Sequence, residues 1–257
     1  MNKVKLITIV KNRLDHFLKS FPFMVSQYGV EYDFVVVDYH SNDDLYQEVL
    51  DDLNFRKDTF SPFLNSIQYI HLTPDLKFNS KKARNLGASY FLDDDCVLSF
   101  CDVDTFPGMS YLSYWSKKVV KGRSFVATRI QESMASSSSR LSHEVNYGNY
   151  FVHSQDYREV GGCDESMDKW GGGDDDVYHR LKLSGLREIN PHDSLEARQY
   201  SIIHGDDLRL GFLENSARAN PEETFKKIYS NLNPESPESN FLIVDDSRSN
   251  LEILYEK

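Results

Sequence analysis

The chain has 257 residues, of which 40% are hydrophobic, 27% charged and 13% aromatic. That composition supports a sizeable folded core and excludes the disordered and fibrous classes. With 29 Lys and Arg against 40 Asp and Glu the net charge is −11. A chain this acidic is a poor general binder of nucleic acid or anionic membrane, although a local basic patch can still hold phosphate.

The N-terminal MNKVKLITIVKN has an apolar run of strand length without the pattern of a signal peptide. No stretch reaches the roughly 20 apolar residues that span a bilayer, so the chain reads as soluble and cytoplasmic. Val4–Val10 and Phe34–Val37 are continuous β-branched runs, as in buried parallel strands. Asp38 and a turn-forming stretch follow the second run. A helix fits Asp43–Leu53, where acids open the first turn and Leu45, Val49, Leu50 and Leu53 share a face. Ser66–Leu72 is a third strand, Ser80–Leu92 a helix, and Val97–Cys101 a fourth strand that runs into Asp102-Val103-Asp104. This rhythm predicts an α/β fold with a mostly parallel central sheet flanked by helices. In such sheets ligands gather beyond the carboxyl ends of the strands.

Pro107–Val120 predicts another helix. Gln131–Asn146, with Ser136–Ser139, has no periodicity and reads as a functional loop, a candidate lid ahead of a strand over Gly148–Val152. Pro221–Asn231 is helical, and Phe241–Val244 is a last short strand or helix start. The division expected is a catalytic domain over 1–206, with a nucleotide-binding half over 1–106 and an acceptor half over 107–206. A C-terminal helical appendage follows over 207–257.

Four features carry chemistry. Asp102 and Asp104, one residue apart just past a buried strand, can share a hard divalent cation if the chain turns there, although an ordinary Asp-rich turn has the same spacing. Trp170-Gly171-Gly172-Gly173 runs into Asp174-Asp175-Asp176 at a helix start. Helix capping needs only one acid, so an acid here is a candidate general base kept ionised by the helix dipole. His204, at the end of an apolar run, is a ligand only if the fold brings it to Asp102. Lys11, Arg13, Lys81, Lys82 and Arg84 are the cations a diphosphate would need, although Lys81 or Lys82 taken singly also fits a solvated surface face. Cys96, Cys101 and Cys163 are too few and too scattered for a disulfide framework or a zinc site.

Several segments together resemble the β-1,4-galactosyltransferase family of GT-A nucleotide-sugar transferases. VKNRLDHF (10–17) is similar to its first-strand exit, and FNSKKARNLG (78–87) to its Phe-Asn-Arg helix start. FCDVD (100–104) matches its metal-binding motif, and YREVGGCDESMDKWGGGDDDVYHRL (157–181) its acceptor and catalytic segment. The last block also resembles polypeptide N-acetylgalactosaminyltransferases and chondroitin-type polymerases.

The resemblance implies a GT-A fold and transfer of galactose or an N-acetylhexosamine from a UDP-sugar to a glycan or lipid-linked glycan, with inversion. Mn²⁺ or Mg²⁺ would sit on Asp102, Asp104 and His204. Lys11, Arg13, Asp38, Phe78, Arg84, Asp102 and Val103 would contact the nucleotide, with Asp38 at the uracil. Trp170, Gly171, Gly172 and Asp175 would contact sugars, and Asp174 would be the base. The family has Glu where this chain has Gly173 and Arg where it has Ser80. Lys81, Lys82 or Arg84 would then take over the phosphate contact. A retaining N-acetylgalactosaminyl-type transferase and a non-catalytic nucleotide-sugar or glycan-binding domain are the alternatives. By analogy, peripheral association with a membrane-bound assembly system is compatible with this reading.

Overall fold

The computed structural model describes residues 3–42, 44–72, 78–128, 130–133, 142–145, 148–167, 171–189, 199–201, 220–232 and 249–257. The first half alternates strand and helix. The order is β1 (Lys3–Val10), α1 (Leu14–Met24), β2 (Tyr32–Asp38), α2 (Leu45–Arg56), β3 (Leu64–Leu72), α3 (Ser80–Ser89) and β4 (Cys96–Phe100). Strands β1, β2, β3 and β4 are mutually parallel in the order β4-β1-β2-β3, so all four end at one edge. The registers Ile7↔Phe100 and Val10↔Asp38 bring the β1, β2 and β4 exits together.

These strands are apolar throughout because both of their faces are covered. Alternate side chains go to opposite faces. Val4, Leu6, Phe34 and Val36 pack with Phe17 and Phe21 of α1 and Leu45 and Val49 of α2. Ile7, Val35 and Val37 pack with Ala83 and Leu86 of α3 on the other side. Helix α1 is absent from the sequence-based expectation: Pro22 lies inside it and masks an i, i+4, i+7 stripe of Phe17, Phe21 and Met24. Helix α3 lies close on the sheet because Gly87 has no side chain; a Cβ there would stand 2.8 Å from Ile7 Cγ2 and 2.9 Å from Val37 Cγ2.

The second half begins with β5 (Thr105–Pro107), α4 (Tyr111–Ser116), β6 (Ser124–Ala127), β7 (Ile130–Ser133), β8 (Ser142–Val145) and β9 (Tyr150–His153). Next come α5 (Ser154–Glu159), α6 (Gly173–Leu183), β10 (Arg187–Ile189) and β11 (Gln199–Ser201). Strand β9 pairs antiparallel with both β4 and β6, and β10 extends the sheet beyond β6. A second sheet runs β5-β11-β7-β8. Its antiparallel β7–β8 pair lies within 130–146, where the sequence shows no periodicity; residues 134–141 lie outside the described residues. Helix α4 is shorter than the expected Pro107–Val120, since β5 takes up its start.

The C-terminal stretch is built into the body. Helix α7 (Pro221–Asn231) is capped by Asn220, whose side chain accepts from Glu222 N. It packs on α6, and the Asn231 amide donates to Asp164 Oδ2 (2.8 Å) and Asp176 Oδ1 (2.9 Å). Strand β12 (Ser249–Glu256) pairs antiparallel with β3 as an edge of the main sheet. The described part of 207–257 is therefore one helix and one sheet-edge strand. The expected element over Phe241–Val244 lies outside the described residues.

Replacing Asn231 by Ala leaves two buried carboxylates short of a donor. It is expected to lower the unfolding free energy by about 1–3 kcal/mol, read by urea denaturation; unchanged stability would mean that the tether carries no load.

Candidate functional site

The site lies at the carboxyl edge of the parallel strands. Where β4 ends, Cys101 N donates to Ile7 O (2.9 Å) and continues the ladder by one residue. The chain then turns, with Thr105 N donating to Asp102 O (3.0 Å), so Asp102 and Asp104 stand on a turn as their spacing requires. Asp102 N donates to Asn149 Oδ1 (2.7 Å). The Asn149 amide donates in turn to Thr105 Oγ1 (3.1 Å) and Gln199 Oε1 (2.8 Å). Gln199 Oε1 also accepts from Tyr111 Oη (3.0 Å). This buried polar network fixes the backbone of the turn from below. Gly148 fits against the Asp102 carboxylate so closely that a Cβ would lie 1.9 Å from Oδ2.

Two helices converge on the turn. Helix α3 is capped by Asn79, whose side chain accepts from Lys81 N and Lys82 N. One turn in, its Arg84 guanidinium, 7% exposed, donates to Asp102 Oδ1 (3.2 Å), Gly148 O (3.3 Å) and Asp174 Oδ1. A single buried cation thus joins the Asp102 turn to the first turn of α6. The resemblance gives Arg84 to the donor phosphate; in the structure its guanidinium is engaged by protein carboxylates. Desolvation opposes that charge, but Asp174 and Asp102 outweigh it and hold the guanidinium firmly protonated. Burial pushes the Asp102 carboxyl up to about 6; Arg84 pulls the other way, and the charges of Asp104 and Asp174 push it further up.

The glycine run before α6 has a structural explanation at each step. Gly171 (φ 106°) and Gly172 (φ 80°) are left-handed, a conformation that disfavours any other residue. A Cβ on Gly172 would also meet Thr224 Cγ2 of α7 at 2.1 Å. Gly173 gives way to Lys81: a Cβ there would lie 2.3 Å from Lys81 Cε. The three acids have separate environments. Asp176 is buried and held by Arg180 Nε (2.9 Å), Arg180 Nη2 (2.6 Å) and Asn231. Asp174 is 24% exposed on Arg84, and Asp175 is half-buried beside it.

At the nucleotide end of the expected site, the Lys11 ammonium donates to His40 O, linking the β1 and β2 exits. Arg13 is the N-cap of α1, its carbonyl accepting from Phe17 N (2.9 Å). Phe78 packs edge-on to Tyr39 at 5.2 Å. Asp38, expected at a uracil, is turned inward. It accepts from Ser41 N (2.8 Å) and Tyr69 Oη (2.8 Å), faces His71 Nδ1 at 3.2 Å, and anchors the turn after β2. The Val103 side chain belongs to the hydrophobic core. Trp170 and His204 lie outside the described residues.

Among the described residues no three His, Cys, Asp or Glu side chains converge to hold an ion by themselves. Asp102 and Asp104 offer carboxylate oxygens, the donors a hard divalent cation prefers. Asp102 is 37% exposed, which leaves its carboxylate reachable. The donor set therefore fits Mn²⁺ or Mg²⁺ as a pair that other ligands must complete. Cys96, Cys101 and Cys163 are free and buried.

Several residues that support this region carry no local sequence signal. Asn85, fully buried on α3, donates to Cys163 O (2.8 Å) and Glu165 Oε1 (3.0 Å) and accepts from Tyr157 Oη and Cys163 N. It fixes the 161–165 loop that leads into α6. Asn149, Gln199 and Asn231 act similarly, each on partners far away in the chain.

Residues 133–204 match a family model described as the N-terminal domain of galactosyltransferase. A stretch of 142 residues is 29% identical to chondroitin sulfate synthase 3 of Mus musculus, covering 48% of this chain and 16% of that protein. The chain thus spans about one sixth of the length of that curated relative. Among solved structures, S. aureus TarS 1–349 in complex with UDP-GlcNAc is similar at a TM-score of 0.64 and 15% identity, covering 95% of this chain and 73% of that one. The Drosophila beta1,4-galactosyltransferase 7 mutant in complex with manganese, UDP-Gal and xylobiose is similar at 0.55 and 15%, covering 87% and 79%. The fold is that of the GT-A glycosyltransferases.

Two outcomes follow from the geometry of the turn. Gly148→Ala displaces the Asp102 carboxylate and is expected to weaken Mn²⁺ binding by about tenfold or more with the circular dichroism spectrum intact; unchanged binding would remove Gly148 from the site. Because Asp102 takes up its proton as the pH falls through about 6, Mn²⁺ affinity is expected to drop on the order of tenfold between pH 7 and pH 5. Mn²⁺ EPR titration checks both, and a pH-independent affinity would contradict the second.

Proposed function

We propose that this chain is a divalent-metal-dependent inverting glycosyltransferase that moves a hexosyl unit, galactose or an N-acetylhexosamine, from a UDP-sugar to a glycan hydroxyl. The observation that carries this reading is the Arg84 guanidinium bound to both Asp102 and Asp174. In this reading the metal ligand and the base stand side by side at the carboxyl edge of a parallel sheet, where ligands of such sheets gather. The match to a galactosyltransferase domain over 133–204 includes the Asp174 segment and His204. The manganese, UDP-Gal and xylobiose bound by the Drosophila neighbour support metal, donor and glycan acceptor as a class.

In this reading Asp102, Asp104 and His204 hold Mn²⁺ or Mg²⁺, which when bound supplies Lewis-acid stabilisation of the diphosphate charge. Arg13 and Phe78 flank the nucleotide, while Lys11 and Asp38 hold the loops that shape its pocket. Trp170, Gly171, Gly172 and Asp175 orient the sugars. The acceptor hydroxyl oxygen attacks the anomeric carbon and forms the new C–O bond. The bond from that carbon to the phosphate oxygen breaks, and UDP leaves with the electron pair. Asp174 takes the hydroxyl proton. Asp174 stands in the first turn of α6 and is held there by Arg84.

The test is UDP release from UDP-Gal, UDP-GalNAc and UDP-GlcNAc with Mn²⁺ and an oligosaccharide acceptor. Asp174→Asn is expected to reduce turnover by roughly 10²–10⁴-fold, and the product's anomeric configuration by NMR is expected to be inverted. Retained configuration, or full activity in Asp174→Asn, would overturn the mechanism.

A further inference from the structure

We infer that Arg84 is a positioning residue that couples occupation of the cation site to presentation of the base, a role that rests on the reading of Asp102 as a metal ligand and Asp174 as base. The guanidinium is 7% exposed and divides its donors between Asp102 Oδ1, Asp174 Oδ1 and the Gly148 carbonyl. Tyr150 closes it from another side, with its ring centroid 5.9 Å from the guanidinium carbon. Neither carboxylate can be changed without altering how this one cation is shared.

A buried guanidinium keeps its charge and must be matched by anions. With the Asp174 carboxylate in place, part of the guanidinium's demand is met on the α6 side, and less of it falls on the Asp102 oxygens that a divalent ion would use. Without the Asp174 charge, the guanidinium falls back on Asp102 and competes with the ion for its oxygens. Reciprocally, an ion on Asp102 loosens that oxygen from Arg84 and strengthens the hold of Arg84 on Asp174. Linkage requires the two effects to be equal in size. The arrangement links the two groups: a cation on Asp102 tightens the Arg84 contact that holds the Asp174 carboxylate in position. Geometry supports rigidity of the link, since α3 is seated on the sheet through Gly87 and Asn85 ties the same helix to the loop before α6.

The test measures Mn²⁺ dissociation constants of the full chain by EPR, which needs no turnover. Asp174→Asn is expected to weaken Mn²⁺ about 5–20-fold although Asp174 is not a ligand. Asp175→Asn removes the same charge from the same turn of α6 and is expected to change it by less than about twofold. In an Arg84→Met background the Asp174→Asn effect is expected to vanish, as a double-mutant cycle requires of a coupling carried by Arg84. Arg84→Lys, whose single ammonium does not reproduce the fork, serves if Arg84→Met fails to fold and should shrink the coupling at least threefold. It should also lower kcat about 10–100-fold with little change in the UDP-sugar KM.

Equal Mn²⁺ affinity in wild type and Asp174→Asn, an equal loss in Asp175→Asn, or an effect of Asp174→Asn that persists without Arg84 would each overturn the coupling. If wild type binds no Mn²⁺, the metal reading itself fails and the coupling falls with it.

Discussion

A guanidinium cut off from water between two carboxylates is the constraint around which the rest of the site is arranged. Removing such a charge from solvent is costly, and only close anions and carbonyls offset it. Arg84 meets that requirement with Asp102 from the β4 exit, Asp174 from the start of α6, and the Gly148 carbonyl ahead of β9. Three segments distant in sequence are thereby held at one point. The same burial raises the Asp102 carboxyl to about 6, against the pull of the adjacent cation.

The scaffold around this point is made rigid by amides. Asn85 holds the 161–165 loop, Asn149 holds the Asp102 turn, and Asn231 holds Asp164 and Asp176. Each places both donor and acceptor, or two donors, on partners from different elements, so each converts a loop into a fixed support. Glycine acts in the complementary way. Gly87 lets α3 approach the sheet, Gly148 lets the Asp102 carboxylate approach the β9 entry, and Gly173 leaves room for the Lys81 stem.

The parallel sheet was legible in the sequence because buried strands advertise themselves as unbroken β-branched runs, and the Asp102–Asp104 pair was legible because it terminates one of them. The helix starting at Gly173 and the one at Pro221 were equally visible, from acids in one first turn and from an N-terminal proline in the other. What escaped were single polar residues whose partners lie dozens of positions away. Asn85 or Asn231 has no period, and nothing local separates it from a surface amide. Arg84 was visible as a cation but its protein partners were not, since a basic residue near a helix start looks the same whether the anion it meets is a phosphate or a protein carboxylate. Strand β12 escaped because its pairing with β3 spans most of the chain.

Asp102, Asp174 and Arg84 form one unit in the described structure; the proposed function adds Asp104 and His204 as further ligands of an ion on Asp102. Anomalous scattering at the manganese edge, from crystals grown with Mn²⁺ and UDP, tests this most directly. The account predicts one strong peak within about 2.5 Å of oxygens of both Asp102 and Asp104, with the His204 imidazole also in its coordination sphere. A peak elsewhere, or none at that turn, would contradict it.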